Sequence, residues 1–160
     1  MLVSDLKRVV IDTSVLVSGI LALQKKEETS ASLKILRWIE AGQLLLEGNC
    51  AILAEYEKIL LRKINDGEID SQKANFYIKL FRDKGLFNSR TLLHPLIYVS
   101  RDPSDGIYFI SKNCLDAHFL ITGNEKHFAE VRDDLFKLKK TLQIVSPSEF
   151  VCIFPSKKIQ

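Results

Sequence analysis

The chain has 160 residues, 46% hydrophobic and 27% charged, and a net charge of +3 at pH 7. That is the composition of an ordinary soluble globular domain, large enough to bury a core without disulfides or structural metals. The small positive charge is compatible with an anionic partner but singles none out. Three cysteines, Cys50, Cys114 and Cys152, stand far apart and lack any C-x-x-C spacing, which argues against a zinc site or a disulfide framework. Their apolar neighbours point to buried thiols in a reducing, cytoplasmic setting. No apolar run reaches the roughly 18–20 residues of a membrane span. Asp5, Lys7, Arg8 and Asp12 break the start of the chain, against a secretory signal.

In chain order, Val9–Ile11 is a short β-branched run that reads as a buried strand. Asp12, Thr13 and Ser14 follow as helix-start residues, Thr13 and Ser14 being able to cap by themselves, and Val15–Val17 leads into a helix. Gln24–Thr29 is a polar loop. Ser30–Ala41 is an amphipathic helix stopped by Gly42. Leu44–Leu46 is a second short strand. Ala51–Ile64 carries Ile52, Tyr56, Ile59 and Leu60 at helical spacing. Asp70 caps a helix that runs to Lys84, with Gly85 beyond it. Leu96–Val99 reads as a strand, and 102–105 as a turn that opens a helix. His118–Thr122 is a strand ended by Gly123, and 124–138 is partly helical. Leu142–Val145 is the last strand. Ser146 and Glu149, three apart, then form a capping-box pattern.

Strands that read as apolar runs, alternating with helices, predict a three-layer α/β/α domain around a parallel sheet of four or five strands. The expected domain covers residues 1–150, with 151–160 as a C-terminal tail. Ligands of such sheets bind beyond the carboxyl ends of the strands. Asp12, Asp105 and Asn124 all fall at such ends or in the loops after them, and Glu55 lies at the border of the apolar and polar faces of its helix. Converging carboxylates raise one another's pKa, and a hard divalent cation relieves the repulsion. Such an ion polarises a phosphoryl oxygen and acidifies a bound water, which suits phosphodiester hydrolysis. Taken singly, Asp105 reads more readily as a helix cap, and Glu55 as a solvated helix residue. If the acids are ligands, removing one should stabilise the metal-free protein by up to ~1 kcal/mol through relief of repulsion.

Four segments together resemble the PIN-domain family, closest to the branch assigned as toxins of toxin–antitoxin systems. They are Val-Ile-Asp-Thr-Ser-Val-Leu-Val-Ser-Gly (10–19), Ile-Leu-Ala-Glu-Tyr-Glu-Lys-Ile-Leu-Leu-Arg (52–62), Arg-Asp-Pro-Ser-Asp (101–105) and Phe-Leu-Ile-Thr-Gly-Asn (119–124). They come in the family's order and span about residues 8–150. The resemblance implies Asp12, Glu55 and Asp105 as catalytic, metal-binding acids, with Thr13 or Ser14 supporting them by hydrogen bonds. The fourth position, usually Asp, is Asn124, which offers a neutral oxygen in place of a charge. The helix after Asp105 is bulkier than usual, with Gly106-Ile107-Tyr108-Phe109 and with Lys112 where Ala is common. These departures bear on activity and not on fold. The resemblance further implies Mg2+ or Mn2+ as cofactor, RNA as substrate, a homodimer, and neutralisation by a cognate antitoxin.

Arg62 and Arg101 are candidates for RNA-backbone contacts, with Lys63, Arg82 and Lys84 as further basic positions, and each of the five reads at least as well as part of a solvated face. His94, His118 and His127 lack ligand spacing, and His118 reads as structural. The leading expectation is a metal-dependent endoribonuclease acting as a toxin. The alternative is a catalytically weakened PIN-like domain that binds RNA or protein. A phosphotransferase with Asp12 as nucleophile fits least, because position 14 is Ser where those families carry a second Asp, and no Gly-rich phosphate loop is present.

Overall fold

Val9, Val10 and Ile11 are each fully buried, although successive strand residues point to opposite faces of a sheet. Their strand is therefore covered on both sides, the arrangement that parallel sheets require. The computed structural model describes residues 6–88, 117–124, 126 and 142–154. Within them the chain runs β1 (Lys7–Ile11), α1 (Thr13–Gln24), α2 (Ala31–Glu40), β2 (Leu44–Asn49), α3 (Cys50–Asn65), α4 (Ser71–Lys84), β3 (Leu86–Asn88), β4 (Phe119–Ile121), β5 (Gln143–Val145) and α5 (Pro147–Ile153). The strands form one five-stranded parallel sheet in the order β3-β2-β1-β4-β5, within a three-layer α/β/α arrangement. β1 is central, as expected, and Asp12 follows directly at its carboxyl end.

Register sets the neighbours of Asp12. Val9 pairs with Leu46 on one side and Phe119 on the other, and Ile11 pairs with Ile121. The next step along β4 places Thr122 beside Asp12, where the Asp12 N–H donates to the Ile121 carbonyl at 2.8 Å.

The helix starts follow local chemistry. The Ser30 hydroxyl accepts from the Leu33 N–H, and the Asp70 carboxylate from the Lys73 N–H. Ser146 accepts from the Glu149 N–H, with Pro147 at the first helical position. The capping box is half formed: Glu149 takes the Ser146 hydroxyl and not its backbone N–H. At the end of α2, Gly42 adopts a φ of 72°. α5 runs through Val151–Ile153, and Phe154 stacks on Phe150 and meets Trp38 edge-on.

Two expectations are corrected and others lie outside the description. Cys50 and Cys152 are exposed rather than buried, since both sit on outward helix positions. β2 continues through Glu47, Gly48 and Asn49, and β3 forms as a three-residue edge strand beside it, neither of which the composition announces. The strand expected at Leu96–Val99 and the helix after Asp105 lie outside the described residues, as does most of 124–138.

α1 and α2 pack closely through Gly19. A Cβ there would fall 2.4 Å from Leu36 Cδ1 and 3.2 Å from the Ser32 carbonyl oxygen. Leu36 is fully buried and has little room to withdraw. We expect Gly19→Ala to destabilise by about 1 kcal/mol, overpacking outweighing the gain in helix propensity. Urea unfolding checks this, and a stabilised variant would show that the interface yields.

His118 is structural, as its setting in sequence suggests. Its Nδ1 accepts the Arg8 N–H at 3.0 Å. Burial, then the charges of Lys7 and Arg8, hold its pKa below the usual value. The neutral ring is thus favoured in the fold, so its contribution is complete above about pH 6.5 and is lost as pH falls through the lower native pKa. Between about pH 7 and pH 5, wild type should lose more stability than His118→Gln. Parallel losses in urea titrations would refute this assignment.

Candidate active site

Asp12 occupies the N-cap position of α1, yet its side chain caps nothing. It is buried, with 3% of its surface exposed. Its Oδ2 accepts the Thr122 hydroxyl at 2.7 Å and the Ser14 hydroxyl at 3.1 Å. Ser14 is therefore a buttress of the carboxylate and not the cap that the helix start suggested. Two further bonds tie the loop after β4 to this pair: Gly123 N–H to Ser14 Oγ at 3.3 Å, and Asn124 N–H to Thr122 Oγ1 at 3.0 Å. Among the described residues both donors fall on Oδ2, so the carboxylate is fixed through one oxygen.

Glu55 reaches the same region through its neighbour. Tyr56 is fully buried, and its hydroxyl donates to the carbonyl of Ile11, the residue before Asp12. That bond pins α3 to the carboxyl end of β1 and sets Glu55, one residue earlier on the helix, over the site.

Asp12, Thr13, Ser14, Glu55 and Asn124 line one open cleft of about 330 Å3. Thr13, Ser14, Val17 and Ser18 come from α1, and Glu55, Ile59, Arg62 and Lys63 from α3, so the cleft is a groove between these two helices. Three of the four expected metal positions thus share a cavity. The fourth, Asp105, lies outside the described residues, as does Arg101. Among the described residues no group of three or more His, Cys, Asp or Glu is gathered as a metal site. The oxygen donors that line the groove are two carboxylates and an amide, a hard set that suits Mg2+ or Mn2+ and not a thiol- or imidazole-loving ion.

Of the basic candidates, Arg62 and Lys63 face the groove. Arg82 is bound to Glu57 across α3 and α4, and Lys84 lines a separate small hollow beside β2. Thr122 and Tyr56 are the polar residues that sequence reading passed over as parts of a strand and a core. For Thr122 the signal was its place at the carboxyl end of an expected strand, two residues before Asn124.

Among the described residues no helix is long and apolar enough to cross a membrane. No curated protein and no solved structure matches the chain. The PIN domain family model matches residues 8–126, most of the chain, and takes in all four sequence segments, Asp105 and Asn124 included, in one span. With the parallel sheet, the central β1 and the acid at its carboxyl end, the match leaves no ambiguity about kinship: the chain belongs to the PIN-domain family.

Proposed function

We propose that this protein is a divalent-metal-dependent endoribonuclease, the toxin of a toxin–antitoxin pair. PIN domains are generally nucleases that use divalent ions. The observation that carries the reading is Asp12: a buried carboxylate at the end of the central strand, spared from capping, fixed through one oxygen and facing a groove shared with Glu55. Burying such a group without a role would be costly.

In this proposal Asp12, Glu55 and Asp105 hold Mg2+ or Mn2+, with Asn124 as a neutral fourth donor. The bound ion supplies Lewis-acid polarisation of the phosphoryl oxygen and a more acidic water. Ser14 and Thr122 hold Asp12 in orientation by donating to Oδ2, and Thr13 lines the groove beside them. Hydrolysis joins the water oxygen to phosphorus and breaks the bond to the leaving ribose oxygen, which takes up a proton. A cytoplasmic homodimer restrained by a cognate antitoxin completes the reading.

Asn124 favours a second reading, a weakened PIN domain that binds RNA or protein without cutting it. Incubation of the protein with RNA in Mn2+ or Mg2+ separates the two. Cleavage that stops on chelation supports the nuclease. Retained RNA binding without cleavage in either ion supports the weakened domain.

A further inference from the structure

The groove has two chemically different ends. Asp12, Glu55 and Asn124 stand at one, while Arg62 and Lys63 mark the other. Glu55, Ile59 and Arg62 follow one another at i, i+4 and i+7 on α3, so they form one stripe along the groove wall. Seven residues of helix separate Glu55 from Arg62 by about 10 Å along the axis. A stacked nucleotide strand advances about 3.4 Å per residue, so roughly three nucleotides or fewer bridge that gap. The two cations are not equivalent. Lys63 Nζ is held by Glu68 Oε2 at 2.7 Å, whereas Arg62 is exposed and has no ion pair among the described residues. Ile59 lies between the ends, half-buried, as an apolar surface for a sugar or base.

We propose that Arg62 anchors an RNA phosphate within three nucleotides of the one that is cut, so that the groove between α1 and α3 reads the strand as an internal segment. The proposal rests on the ribonuclease reading and adds the substrate's register to it. A guanidinium presents a fork of donors suited to a phosphate and remains charged at any working pH. The same feature explains how an acidic site accepts a polyanion: the repulsion from Asp12 and Glu55 is met by a cation farther along the same wall.

The test uses a fluorescent ten-nucleotide single-stranded RNA, with divalent ions chelated so that no strand is cut. Anisotropy titrations over a range of salt compare wild type, Arg62→Gln and Lys34→Gln. Lys34 is exposed on α2, which contributes nothing to the groove, and its loss removes the same charge. Arg62→Gln should weaken binding about tenfold at low salt and lower the slope of log K against log salt by about 0.7, one phosphate contact on a single strand. Lys34→Gln should match wild type. Equal losses in the two variants, or an unchanged salt slope for Arg62→Gln, would overturn the anchor. Because no cleavage is needed, this outcome is independent of whether the protein proves to be a nuclease. In Mn2+, Arg62→Gln should raise KM for the same RNA with a much smaller change in kcat, and the reverse split would also overturn it.

Discussion

Asp12→Asn should reduce metal-dependent RNA cleavage by at least about 10^3-fold, roughly 4 kcal/mol of transition-state stabilisation, while leaving the fold intact. The size of the effect follows from the hydrogen bonds. Oδ2 of Asp12 accepts hydroxyls from Thr122 and Ser14. In the amide the single remaining oxygen is drawn to those two donors, which turns the NH2 group toward the groove. An N–H donor then stands where an ion requires an oxygen, and one negative charge is lost as well. Circular dichroism and urea unfolding should show stability within about 1 kcal/mol of wild type, since the substitution is isosteric and keeps an acceptor for both hydroxyls. Asp105→Ala should abolish cleavage in the same way. Residual cleavage by Asp12→Asn at a tenth of the wild-type rate or more would remove Asp12 from the catalytic set.

Truncation of the same residue illustrates how the structure changes an expectation. From charge alone, Asp12→Ala should relieve repulsion and stabilise the metal-free protein. The buried setting argues the other way. Alanine would leave the hydroxyls of Thr122, fully buried, and Ser14 without their acceptor, at a cost of about 1–3 kcal/mol. The relief of repulsion is smaller, and so Asp12→Ala confounds catalysis with stability where Asp12→Asn does not.

Much of the fold is written in local signals. Caps at Ser30, Asp70 and Ser146 fall where a side-chain oxygen meets a free N–H, and a single residue type in a single place decides each. β1 and β4 are legible because strands buried on both faces must be apolar throughout. β3 is not, since three residues carry no period and its formation depends on pairing with Glu47–Asn49, far away in sequence. The same division runs through the site. Asp12, Glu55 and Asn124 are recognisable by residue type and by position after a strand or on a helix. The roles of Thr122 and Tyr56 arise from register and helix packing. Ile11 pairing with Ile121 brings Thr122 to Asp12, and the Tyr56 bond to Ile11 carries Glu55 and the rest of the α3 stripe into place. Ser14 shows the hazard of local reading: at a helix start its hydroxyl suggests a cap, whereas the family resemblance points to the role it takes, donating to the Asp12 carboxylate.

Asn124→Asp should tighten Mn2+ or Mg2+ binding. Asn124 lines the groove with Asp12 and Glu55, and its N–H is fixed to the Thr122 hydroxyl that also holds Asp12. Residue 124 is thus set at a defined place relative to the buried acid, where an added charge acts on the same ion. The side chain is exposed, so solvent screens the gain, and about 1–2 kcal/mol is reasonable for one charge in such a partly solvated site. That corresponds to roughly five- to thirtyfold in affinity. Without metal the added carboxylate has only repulsion to offer, and the melting temperature should fall slightly. Calorimetric titration of both forms with Mn2+, alongside thermal unfolding in chelator, measures the two effects together. Tighter binding with a lower metal-free melting temperature is the signature of a ligand position. Unchanged affinity would place residue 124 outside the coordination sphere, and the neutral Asn would then carry no explanation for weakened catalysis.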